Sequence, residues 1–208
     1  MARGKRPAVA VLAWAGLLAV VGVPVLIAAA SPYLAYRNLP YIVGGFAGIV
    51  CLALFVVQPL LAAGYLPGIA PATERRWHRW VGVAIVGCVI LHVGGLYFTS
   101  PEDTLDALTL VAPTPFSVYG VLAMWGALAT AVLVALRRRF RYPTWYRLHN
   151  GLALVVVVAT VVHALQIEGA MEIVSKGALC LAALASTVVV LLNLRVIRPL
   201  LRWRRRPR

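Results

Sequence analysis

Acidic side chains are scarce in this chain of 208 residues: there are six, against 20 lysines and arginines. Cysteine is scarcer, with three residues, none in a CxxC or CxxCH spacing. All three fall inside apolar runs, and they read as small buried residues instead of a disulfide pair. The regular alternation over ten-residue segments that a lipid-facing barrel requires is missing. So are internal repeats and low-complexity linkers, and the chain therefore reads as one domain over 1–208. Charged residues make up 12% of the whole, far below what a soluble domain carries.

What is present is apolar: 62% of residues are hydrophobic, and the mean hydropathy is +0.88. Runs long enough to cross hydrocarbon, about 20 residues each, lie at roughly 8–30, 40–63, 80–98, 117–136, 149–166 and 177–197. Helices satisfy their own backbone in lipid, so the expected fold is all-α, a polytopic bundle of six transmembrane helices. The first run follows Arg3, Lys5 and Arg6 and ends in small residues, as a secretory signal does. Its apolar stretch is longer than a signal core, which favours a retained span.

Charge sets the expected topology. Arg75, Arg76 and Arg79 lie between the second and third runs, and Arg137, Arg138, Arg139, Arg141 and Arg147 between the fourth and fifth; seven arginines from Arg195 to Arg208 follow the sixth. With the N-terminal three, 18 of the 20 bases fall on one side, leaving Arg37 and Lys176 on the other with Glu102, Asp103, Asp106, Glu168 and Glu172. The positive-inside rule then puts both termini in the cytoplasm, consistent with an even number of spans. A plasma membrane is expected, of the bacterial inner-membrane kind. The basic tail reads as a topology anchor against anionic lipid, with no nucleic-acid partner. Pro59, Pro67 and Pro71 are expected to break the end of the second span, and TLDALTLV within 99–117 to form a short amphipathic turn.

Four histidines remain, His78, His92, His149 and His163, and they fall in two segments. WHRWVGVAIVGCVILHVGG (77–95) holds one pair and WYRLHNGLALVVVVATVVHAL (145–165) the other, each pair fourteen residues apart. Fourteen helical steps fall about 40° short of four turns, so each pair shares one helix face, separated by about 21 Å along the axis. The third and fifth spans run in the same direction. His78 then matches His149 in depth near the inner end, and His92 matches His163 near the outer end. Imidazole is costly in lipid unless something repays its burial. A planar iron macrocycle held from both sides by imidazole nitrogens does so, which implies two b-type haems with these four residues as iron ligands. Bis-histidine ligation closes both axial positions and suits electron transfer. The second ring nitrogen of each is expected to donate to a carbonyl one turn away. Covalent c-type attachment is excluded by the cysteine pattern. A proton relay would call for carboxylates within the spans, and zinc for histidines gathered at one place. Gly82, Gly87, Gly94, Gly95, Gly151 and Ala153 either admit macrocycle edges or serve close helix packing. Arg75, Arg76, Arg79 and Arg147 are candidate propionate partners.

The two H-x13-H segments, with HRWVG and RLHNGLAL, resemble the ferric-reductase-like transmembrane domain shared by ferric reductases and NADPH oxidases, over about residues 40–198. The resemblance implies transmembrane electron transfer, entering at the inner haem and leaving from the outer haem to an extracytoplasmic acceptor, a ferric species for example. It also implies His78 with His149, and His92 with His163, as ligand pairs. Active relatives carry a cytoplasmic FAD and NAD(P)H module, whereas this sequence contains no Gly-rich dinucleotide fingerprint. The expectation is an electron-transfer component of an oxidoreductase, fed by a separate cytoplasmic flavin reductase or by a membrane quinol. The haem-bearing membrane subunit of the periplasmic methionine-sulfoxide reductase system is similar in length and span count; on that alternative the acceptor is the periplasmic reductase. Cytochrome b561-like proteins take their ligands from four helices. A redox-silent membrane scaffold is the reading from another class.

Overall fold

The computed structural model describes residues 7–204, the last three through their backbone alone. Arg3, Lys5, Arg6, Arg205, Arg206 and Arg208 lie outside the described residues. The described chain is helical throughout: α1 (Pro7–Ala29), α2 (Leu39–Ala63), α3 (Pro71–Thr99), α4 (Pro101–Leu108), α5 (Pro115–Ala135), α6 (Tyr142–Gln166) and α7 (Ile173–Leu192). A π turn, Asn193–Ile197, carries α7 into α8 (Arg198–Arg204). Six helices are long and apolar enough to cross a membrane, the last counted from Ile173 to Leu201.

The helices begin earlier than hydropathy alone places them. α3 starts at Pro71 and α6 at Tyr142, whereas the apolar runs begin at about 80 and 149. Proline in the first turn needs no N–H partner and has its φ preset for a helix, so Pro71 and Pro143 start helices ahead of the apolar window. His78 and His149 consequently sit inside helices and not at their edges. Pro59 does not break α2, which runs on to Ala63 and stops where Gly64 adopts φ 71°. A left-handed residue is a common helix stop, and glycine takes it at no steric cost. The expected turn in the 99–117 connection is α4, which begins at Pro101, three residues before TLDALTLV, with Glu102 and Asp103 in its first turn. Acids there face the partial positive charge of the helix start.

α2 is the central helix. Leu52, Ala53, Phe55 and Val56 are buried, and the core they form takes in Ile85 of α3, Val156 and Val157 of α6, and Leu179, Cys180 and Ala183 of α7. Cys51 and Cys180 are buried, Cys88 half-buried, and all three are free thiols. Lipid tails are as apolar as leucine, so small residues and close van der Waals contact decide which helices pair. At Gly95 of α3 a Cβ would lie 2.5 Å from the Pro40 carbonyl and 2.7 Å from Gly44 Cα, so α2 and α3 meet backbone to backbone. α5 packs along α6, whereas α3 and α6 make almost no backbone contact with each other. The bundle thus holds two parallel helices apart, each backed by its own neighbour.

Candidate functional site

The gap between α3 and α6 is spanned by the four histidines. The rings of His78 and His149 have centroids 6.3 Å apart and planes at 71°; those of His92 and His163 are 6.2 Å apart at 80°. Both pairs anticipated from the fourteen-residue interval come together, at two levels. One level lies toward the end bearing Arg75, Arg76, Arg79 and Arg147, the basic end; the other lies toward the end bearing Asp103, Asp106 and Glu168, the acidic end.

Three of the four rings are oriented by a carbonyl through Nδ1. His92 Nδ1 lies 2.8 Å from Gly44 O, His163 Nδ1 2.8 Å from Phe116 O, and His78 Nδ1 3.1 Å from Gln58 O. A carbonyl oxygen can only accept, so Nδ1 carries the proton and the lone pair is left on Nε2. These carbonyls belong to the neighbouring helices α2 and α5, not to the turn preceding each histidine on its own helix as the sequence suggests. A helical carbonyl keeps a second lone pair beyond its intrahelical bond, and the flanking helices bring theirs within reach of the rings. Gln58 grips His78 a second time, its Nε2 donating to His78 O at 3.1 Å. His149 differs: its Nδ1 is buried without a partner, and Trp145, one turn earlier, stacks on its ring at 5.3 Å and 12°.

The two acidic-end rings sit against glycines on the flanking helices. A Cβ on Gly48 of α2 would lie 3.0 Å from His92 Nδ1, and one on Gly120 of α5 would lie 2.7 Å from His163 Cε1 and 2.8 Å from its Nδ1. The sequence offered no sign of either glycine, because both stand on helices without a histidine. Of the glycines it singled out, Gly95 serves close helix packing, while a Cβ at Gly87, Gly94 or Gly151 meets nothing within 4 Å. Arg75, Arg76, Arg79 and Arg147 are all exposed. The arginine that turns inward is Arg195 on the π turn, its guanidinium 3.3 Å from the centre of the Tyr146 ring and its Nε buried without a partner.

Beside the acidic-end pair opens a cavity of about 640 Å³, bounded by His92 and His163 and by Gly48, Gly120, Phe116 and Lys176. Among the described residues no three His, Cys, Asp or Glu side chains converge, so the histidines offer donors two at a time. Imidazole nitrogen bonds a transition metal at about 2.0–2.1 Å, and that nitrogen lies about 1.1 Å from the ring centre, so two imidazoles on opposite sides of one metal place their centroids about 6.2–6.4 Å apart. The observed 6.3 and 6.2 Å match this spacing. Edge-to-face aromatic packing also covers this distance; the Nδ1 bonds to flanking carbonyls leave Nε2 of three rings free to ligate. The residues present therefore fit a planar iron macrocycle at the acidic-end level, where the cavity adjoins the pair, and the basic-end pair offers the same donor spacing.

The family described as "Ferric reductase like transmembrane component" matches residues 45–160, more than half of the chain, with His78, His92 and His149 inside the match and His163 three residues past its end. No curated protein and no solved structure matches the chain. Six apolar helices and the family match identify a multi-pass membrane component of electron transfer, which acts with a redox partner in a lipid bilayer. The chain belongs to the ferric-reductase-like transmembrane family.

Proposed function

We propose that this protein carries electrons across a plasma membrane through two b-type haems, one ligated by His78 and His149 and the other by His92 and His163. The observation that carries the proposal is the double pairing at 6.3 and 6.2 Å with Nδ1 of three rings committed to carbonyls. Held by these pairs, haem would supply a one-electron couple at each of the two levels, the histidines of each helix lying about 21 Å apart along its axis.

The chain's own residues do the rest. Gly44 O and Phe116 O hold the acidic-end imidazoles in the tautomer that presents Nε2, and Gln58 O does so for His78. A carbonyl accepting from Nδ1–H also raises the basicity of the ligating nitrogen. Gly48 and Gly120 leave room for the rings, and α2 and α5 fix the width of the gap by packing on α3 and α6. The basic end faces the cytoplasm, placing both termini there. Electrons enter at that end from a cytoplasmic flavoprotein or a membrane quinol and leave at the acidic end to an extracytoplasmic acceptor such as a ferric species. Trp145, one turn nearer the basic end, stacks on His149.

Anaerobic membranes containing the protein test this reading. NADPH with an added flavin reductase, or a quinol analogue, should produce a b-type α-band that an impermeant ferric chelate on the acidic side then bleaches. A band that forms but persists with the chelate would contradict transmembrane transfer. Membranes that show no band even with dithionite would contradict haem binding itself.

A further inference from the structure

Lys176, in the first turn of α7, is only 9% exposed and lines the acidic-end cavity with His92 and His163. Its ammonium donates to the Ile167 carbonyl at 2.6 Å, which engages one of its three hydrogens. No carboxylate pairs with it among the described residues. Glu172 is turned to the Val174 and Ser175 N–H groups, and Asp103 accepts from Ser100 Oγ. A buried charge is ordinarily matched by an opposite one, because neither a single carbonyl nor an apolar wall replaces its lost hydration. Asp103, Asp106 and Glu168 also line the cavity, and Lys176 is the one lysine or arginine among the described residues that does, so an acidic group entering it finds a cation in the wall at that point alone.

We propose that Lys176 is the counter-ion for an acidic substituent of the ligand in this cavity, namely a propionate of the haem held by His92 and His163. The inference rests on the haem reading above. It assigns a direction to that haem, with at least one propionate turned to the first turn of α7. It also gives Lys176 a redox consequence, since a fixed positive charge beside the macrocycle favours the form carrying one more electron. The competing account is purely structural: a lysine capping the carbonyl that ends α6.

Lys176→Met and Lys176→Arg in the full-length protein separate the two. Optical redox titration should show the reduction equilibrium of the acidic-end haem falling about tenfold in Lys176→Met, equivalent to 59 mV for one electron. The basic-end haem should stay in place, and Lys176→Arg should restore most of the loss. The acidic-end haem is identified as the one missing from His92→Ala. A second measurement covers a Met variant that loses this haem outright: haem-free protein is titrated with haem and with haem dimethyl ester, whose propionates carry no charge. Wild type should prefer free haem about tenfold over what Lys176→Met shows, and both proteins should bind the ester equally. Unchanged midpoints in Lys176→Met, or an equal loss of affinity for haem and ester, would overturn the assignment while leaving the haem reading intact. A wild-type protein that binds no haem would remove both.

Discussion

Gly120→Ala probes the acidic-end clamp with the smallest perturbation available, one methyl group. The added Cβ would lie 2.7 Å from His163 Cε1, about 0.7 Å inside ordinary contact at 3.4 Å. Unless α5 shifts away from α6 along the whole of their contact, the imidazole must move. His163 Nδ1 is meanwhile tied to Phe116 O at 2.8 Å, one turn away on the same helix as Gly120. The ring therefore pivots or breaks that bond. Metal–ligand distances tolerate about 0.2 Å, and loss of an outer-shell partner costs about 10–100-fold in metal affinity. Helix stability does not suffer, since alanine is favoured over glycine by about 0.8–1 kcal/mol within a helix. The purified variant should thus fold and carry close to one haem per chain instead of two, counted as pyridine haemochrome against protein. Gly48→Ala, with its closest approach at 3.0 Å, should lose less, and Gly87→Ala, with nothing within 4 Å, should lose none. Two haems retained in Gly120→Ala with an unaltered spectrum would refute the argument that His163 is a ligand held by this cradle.

Three further outcomes follow from the same geometry. His92→Ala should remove the acidic-end haem and spare the other, taking the ratio from two to one; an unchanged ratio contradicts the pairing. Gly95→Ala should destabilise the bundle by about 1–3 kcal/mol, because the Cβ meets the backbone of Pro40 and Gly44, which cannot rotate away. Thermal unfolding in detergent reads this against Gly94→Ala, whose Cβ meets nothing. Glu172 accepts from the N–H groups of Val174 and Ser175, which hold its carboxyl below the usual glutamate range. A depressed folded pKa gives stability that is full above the unfolded value of about 4.3 and is lost as pH falls through the lower folded value. The melting temperature of the wild type should therefore drop across that acidic window, and Glu172→Ala should drop less.

Much of this arrangement was legible in the sequence, and the rest was hidden for identifiable reasons. Hydropathy found six spans because each helix is apolar over most of its length. That uniformity is also why rotation was not legible: a helix apolar all round has no amphipathic phase to say which face turns inward. Gly48 and Gly120 could not be distinguished from Gly16 or Gly45, at which a Cβ meets nothing. Histidine escaped the difficulty because its polarity marks a face by itself, and the interval of fourteen marks it twice. Helix starts at Pro71 and Tyr142 lay beyond the apolar windows, in segments whose arginines and tryptophans mask helical periodicity. The partner of each Nδ1 depended on which helix stands beside which, and spacing along one chain says nothing of that. Lys176 read as a charge on the outer side, and only the folded chain places it against the cavity.

The most direct measurement is the haem content and ligation of the wild-type protein, expressed with ample haem and purified in detergent. Two haems per polypeptide, a dithionite-reduced α-band of b type, and a low-spin ferric signal from paired imidazoles are the predicted result. A colourless protein would contradict the account, as would haem whose stoichiometry and signal survive replacement of both His78 and His92.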